Sequence, residues 1–271
     1  MKIKWLPLKL LVMLFILQGQ VQAAPVVISG ETVFEYTQVA DWPIAREGTF
    51  RLKADKQVDD TLSIHIRGVA HAINLEDEDG HFYFDQAYAG IHTQAVDIKV
   101  GKQPVYLGQG LLGDLNVILA QVSNKSQFVK VNAFLSQDVK AVDMQVPLRE
   151  LTLGAVYKDK GEKSWGINME KKLGQVYVSG EYVKNVSNGK KGYLAEVRSG
   201  YYALSYRNIE DEALDELWVT SGVYADSKGY RIRGDFPVDA HSIFTVYRDF
   251  ATSHDGETDK DCTYFGYSVY F

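Results

Sequence analysis

From residue 28 onward the chain alternates apolar and polar side chains in segments of about seven to eleven residues. In a strand this places one set on each face. Leu62, Ile64 and Ile66 alternate with Ser63, His65 and Arg67; Val96, Ile98 and Val100 with Asp97 and Lys99; Trp165, Ile167 and Met169 with Ser164, Gly166, Asn168 and Glu170. The same rule runs through Leu151–Lys158, Tyr201–Arg207 and Tyr230–Phe236. It predicts fourteen strands, at 31–38, 48–55, 61–68, 82–91, 94–101, 126–136, 149–158, 164–172, 175–184, 191–198, 201–208, 228–237, 242–250 and 262–271. With strand boundaries uncertain by roughly 2 to 4 residues, a count of about 12 to 16 is open. Helical periodicity is hard to find.

The intervening segments alternate in length. Ile91–Thr93, Leu173–Gly174, Ser199–Gly200 and Val238–His241 are tight, whereas Gly68–His81, Gly101–Lys125, Asn208–Ser227 and Ala251–Asp261 are long and rich in Asp, Glu, Gly and Asn. A meander of antiparallel strands with short turns at one rim and long loops at the other has this signature. The stretch between 136 and 149 breaks it, being long on the short side.

Composition narrows the class. Met1-Lys2-Ile3-Lys4, the apolar stretch Leu8–Leu17 and Val21-Gln22-Ala23 follow the three-part layout of a secretory signal peptide, residues 1–23, with cleavage after Ala23. No later apolar run approaches the roughly 20 residues of a spanning helix. Residues 24–271 then form a single all-β domain. The net charge of -6 comes without any Lys/Arg block, so a nucleic-acid partner lacks its electrostatic footprint. The single cysteine, Cys262, excludes an intramolecular disulfide, and sheet closure must supply the stability instead.

A soluble sandwich would also alternate, with its apolar set turned inward. Three features favour the inverted arrangement. Charges crowd the polar face; Tyr and Trp stand on the apolar face near strand ends, as at Tyr157, Trp165, Tyr182, Tyr193, Tyr206 and Tyr230; and closure removes the edges that lipid could not hydrogen-bond. The end of the chain, Tyr264-Phe265-Gly266-Tyr267-Ser268-Val269-Tyr270-Phe271, resembles the last strand of Gram-negative outer-membrane proteins. That resemblance implies an assembly signal at Phe271, read by the barrel assembly machinery. Val96-Asp97-Ile98-Lys99-Val100-Gly101-Lys102-Gln103, followed by Tyr106-Leu107-Gly108-Gln109-Gly110 and Leu111-Leu112-Gly113, resembles the strand-to-loop passage of porins, with Lys102 where Arg is commoner.

The resemblance implies a closed transmembrane β-barrel of the outer membrane, in contact with lipid, that passes small polar solutes or ions without a cofactor. The expected pore-lining charges are Arg51, Arg67, Asp97, Lys99, Lys130, Glu181, Glu196, Arg198, Arg207, Arg231 and Arg233. Gly101, Lys102, Gln103, Gly108, Gly110 and Gly113 would shape a constriction loop between 101 and 125. The inward set holds slightly more basic than acidic residues, predicting a weak anion preference. A plugged barrel acting as a binding or structural protein is the alternative, and a hydrolase at the outer rim a further one. No constellation marks a catalytic centre. Asn185-Val186-Ser187-Asn188-Gly189 is similar to the Ser-Asn-Gly of outer-membrane phospholipase A, but Asn185 holds the place of that family's His, so the segment reads as a hairpin turn. The six histidines are scattered singly, and the acidic run Glu76–Asp79 lacks EF-hand spacing, so no metal is expected.

Overall fold

The computed structural model describes residues 24–73, 81–215 and 225–271, and every regular element among them is a β-strand. Residues 1–23, expected to be a signal peptide, the acidic run and part of the 208–227 loop lie outside the described residues. The strands are β1 (Val27–Val39), β2 (Ala45–Gln57), β3 (Leu62–Ile73), β4 (His81–His92), β5 (Val96–Leu107), β6 (Gly113–Asn124), β7 (Lys130–Leu135) and β8 (Lys140–Leu148). They continue with β9 (Leu151–Lys160), β10 (Glu162–Leu173), β11 (Val176–Asn185), β12 (Lys191–Ser199), β13 (Tyr202–Ile209), β14 (Ser227–Asp239), β15 (Ser242–Thr252) and β16 (Cys262–Tyr270). Each pairs antiparallel with its chain neighbours, and β1 pairs with β16 from Glu31↔Tyr270 to Val39↔Cys262, closing the barrel. Phe271 completes that seam: its N–H donates to Gly30 O at 3.0 Å and its carbonyl accepts from Gly30 N at 2.8 Å.

The barrel has sixteen strands where the alternation predicts fourteen, and the two additional ones are β6 and β8. In β6 the apolar Ile118 and Ala120 interrupt the polar face, so a half-buried pattern is not visible. In β8, Pro147 argues against a strand because it cannot donate to a ladder; it is tolerated one residue before the strand's end, beside the turn at 149–150. The stretch between 136 and 149 is therefore a turn, a strand and a second turn, and the added pair of strands keeps the tight turns after β4, β10, β12 and β14 at one rim, while the link between β9 and β10 at the other rim is Gly161 alone.

Facing follows the predicted alternation. His65 and Arg67 of β3 turn into the lumen, where they meet Asp55, Gln86 and Asp85, while Ile64 and Ile66 take the opposite face. The outer surface carries exposed Ile167, Leu204, Ile232 and Phe250. Aromatic residues gather near the two ends of this apolar band. Tyr193, Tyr206 and Tyr230 adjoin in sequence around one end, with centroids 6.0 and 4.7 Å apart, and Tyr201, Tyr202 and Phe236 cluster at the other. This is the belt arrangement of interfacial aromatics.

Candidate functional site

β5 and β6 pair with each other up to Leu107↔Gly113, yet β5 pairs with β4 only from His92↔Asp97 to Ala87↔Lys102. β6 likewise pairs with β7 only between Ser123↔Asn132 and Ala120↔Leu135. Beyond those rows the hairpin has no ladder partner in the wall, and it folds into the barrel. Gly101 makes the departure possible: its φ is 131°, and a Cβ there would lie 2.3 Å from Ala87 O. Where β5 leaves β4, Lys102 Nζ donates to Phe84 O at 3.1 Å and satisfies a carbonyl on the exposed edge.

The infolded hairpin carries one apolar face. Val105, Leu107, Leu111, Leu112 and Leu119 pack with Phe134, Ala141, Val156, Val183 and Ile209, which project inward from the wall. Its tip is bonded to the strands opposite. Leu111 N–H donates to Glu181 Oε2 at 3.0 Å, Lys158 Nζ donates to Leu112 O at 3.0 Å, and Gln109 Nε2 donates to Met169 O at 2.9 Å. Gly108, with φ of 65°, sits so close to Glu181 that a side chain there would collide with the carboxylate. The opposite hairpin face is polar: Asn116 accepts from Gln86 at 3.0 Å and donates to Asp85 at 3.1 Å.

The expected constriction loop is thus corrected in detail. Gly101, Lys102 and Gln103 belong to β5, Gly113 opens β6, and only Gly108 and Gly110 lie in the turn between them. Lys102 points at the β4 edge and Gln103 is fully buried, its Nε2 donating to Leu119 O at 3.0 Å. Glu181, expected as a lining charge, is buried as the anchor of the hairpin tip.

The other charges form pairs along the lumen. Arg51 bonds Glu31, Arg67 bonds Asp85 at 2.9 Å, and Arg207 and Arg231 share Asp249 at 3.2 and 2.6 Å. Arg233 bonds Asp235 at 2.9 Å. Arg231 also lies over the Tyr247 ring at 4.0 Å, and Tyr247 stacks on Tyr264 at 4.6 Å, an aromatic wall that the alternation did not single out. Arg198 stands over Tyr177, and Lys130 is exposed at the start of β7. Beside the hairpin a cavity of about 490 Å³ is lined by Tyr106, Glu170, Glu196, Arg198 and Arg233 among others. A second, of about 550 Å³, lies at the long-loop rim around Lys158, Lys160, Glu162 and Asp215. In the β15–β16 loop the Ser253 hydroxyl donates to Asp255 and holds its carboxyl below the usual range.

The remaining candidates fall where local chemistry puts them. Ser187 Oγ accepts from Lys163 N–H at 3.1 Å within the β11–β12 turn, and Gly189 has φ of 80°. His65, His71 and His92 each meet a carboxylate. Sequence reading did not foresee that Ser63, His92 and Asp97 adjoin, because they come from three strands.

Solved structures share this architecture. A mutant of the Rh. blastica porin superposes with a TM-score of 0.66 at 9% identity, covering 91% of this chain and 100% of that one. The fold is the porin fold. Salmonella typhi OmpF, in complex with daunomycin, matches with a TM-score of 0.65 at 11% identity, covering 91% and 97%. OmpT, an outer membrane protein of Vibrio cholerae in trimer form, gives 0.60 at 10%, covering 91% and 99%. No protein-family model and no curated protein matches the chain. The porin fold thus persists here at a sequence identity too low to carry residue roles across.

Proposed function

We propose that this protein is an outer-membrane channel for passive diffusion of small hydrophilic solutes or ions. The observation that carries the reading is a closed sixteen-stranded barrel whose lumen is lined by charges and narrowed by its own β5–β6 hairpin. Barrels of about 16 to 18 strands leave an aqueous channel. The apolar exterior and its aromatic ends suit a bilayer, and Phe271 at the seam suits the role of assembly signal. Reconstituted into planar bilayers, the folded protein should give discrete conductance steps that scale with salt.

A second reading is a plugged barrel with a binding or structural role. It is favoured by the buried Ala213 and Leu214, which join the hairpin's apolar cluster from the long-loop rim. Folded protein that inserts in bilayers without passing current would establish that reading and overturn the first.

A further inference from the structure

We propose that Ser63, His92 and Asp97 form a hydrolytic triad inside the short-turn end of the barrel, acting on small anionic esters. Ser63 is the second residue of β3, His92 the last of β4 and Asp97 the second of β5, so strand pairing and the tight β4–β5 turn at this rim bring the three together on the lumen face. Ser63 Oγ is 2.9 Å from His92 Nε2, and His92 Nδ1 is 2.9 Å from Asp97 Oδ1. The carboxylate can only accept, so Nδ1 carries the proton and Nε2 is left to accept from the serine hydroxyl. Lys125 Nζ lies 3.0 Å from Asp97 Oδ1 and is its counter-ion. Nucleophile bonded to base, and base bonded to an orienting carboxylate, is the arrangement that activates a serine.

Gly90 leaves the room in which they meet. It stands between Ser63 and Lys99 in one cross-strand row, and a Cβ placed on it would be 2.6 Å from Ser63 Oγ and 3.3 Å from His92 Nε2, so a side chain there would push the serine off the imidazole. Lys99 continues the row, its ammonium 5.3 Å from the centroid of the Tyr88 ring. Among the described residues it makes no ion pair. Its charge favours an anionic substrate.

In the reaction, Ser63 Oγ bonds to the ester carbonyl carbon as His92 Nε2 takes its proton. The C–O bond to the leaving alcohol breaks, and His92 returns the proton to that oxygen. Water, deprotonated by His92, then attacks the acyl-serine; the carboxylic acid leaves and the Ser63 hydroxyl is restored.

The test uses the folded full-length barrel with mono-p-nitrophenyl terephthalate, whose carboxylate cannot reach its own ester, as substrate and diisopropyl fluorophosphate as a covalent probe. Wild type should release p-nitrophenol and carry the phosphoryl adduct on Ser63 by peptide mass spectrometry. Ser63→Ala and His92→Gln should lower the rate by about a hundredfold or more. Gly90→Ala should do so too, with heat-modifiable barrel yield unchanged. Hydrolysis equal in wild type and Ser63→Ala, or wild type without an adduct on Ser63, would reduce the three residues to a staple of the turns. Probing of wild type needs no variant to fold.

Discussion

β10–β11 and β5–β6 are hairpins of similar strand length, twelve and ten residues in the first and twelve each in the second. Both alternate apolar and polar positions, yet their apolar faces end in different surroundings. Ile167 on β10 is 53% exposed on the outer surface, whereas Leu107 on β5 is 0% exposed inside the barrel. The difference lies in the neighbours. β10 is paired along nearly its whole length on both sides, from Glu162↔Lys160 to Leu173↔Val176. The outer half of β5–β6 flanks β7, a strand of only six residues, and has no ladder to hold it in the wall. Burying the apolar face against Phe134, Val156 and Val183 then satisfies the hairpin from within.

If that comparison holds, truncation should separate the two sites most sharply. Leu107→Ala should destabilise the barrel by about 2–5 kcal/mol because it empties a packed interior, whereas Ile167→Ala should cost far less, since lipid chains refill the space. Equal losses in urea unfolding of the two variants in lipid vesicles would mean that the hairpin is not packed as described.

Charge reverses the question and tests the outer face. Ile167→Arg should cost about 2–4 kcal/mol if the residue lies near the bilayer midplane, and Ile64→Arg on β3 should behave alike. Ser179→Arg, on the lumen face of β11, should be tolerated. Water-soluble thiol reagents should label a cysteine at 179 and not one at 167; the opposite pattern would invert the barrel.

The tip is a smaller contribution than the apolar face. Glu181→Ala leaves the Leu111 N–H without its acceptor, a loss of about 1–3 kcal/mol. Most of it should appear as added current noise from a loosened hairpin, readable in single-channel recordings. A quiet trace would assign the anchoring to Leu107, Leu111 and Leu112 alone.

The smallest expected effect concerns selectivity. Arg231 and Arg233, expected from their strand face to carry an anion preference, are engaged with Asp249 and Asp235. Neutralising both should move the reversal potential slightly toward cations, more at low salt, because a Debye length of about 8 Å at physiological salt screens the lumen only partly. No shift at either salt would show that the pairs are neutral to a passing ion.

Much of the barrel was legible along the chain. Fourteen of the sixteen strands follow from alternation alone, since a period of two is the signature of an extended chain with two different faces, and Phe271 announces the last strand. β6 and β8 escaped because their own patterns are broken by Ile118 and Pro147. Of the candidate site, Gly101 and Gly108 were legible as points of unusual backbone, and both proved to have positive φ. Their purpose was not legible: the contacts of Gly108 with Glu181 and of Gly101 with Ala87 are set by strands distant in sequence or by a register no single strand declares.

By itself the sequence determined that the chain is a β-meander with one apolar and one charged face, because the spacing of side chains in a strand is local geometry. Only the tertiary structure decided where the β5–β6 hairpin goes, which arginine meets which carboxylate, and that Ser63, His92 and Asp97 share one corner. Those outcomes depend on register and closure, in which each strand's position is fixed by partners on both sides. A single strand carries no information about which neighbour will be too short to hold it.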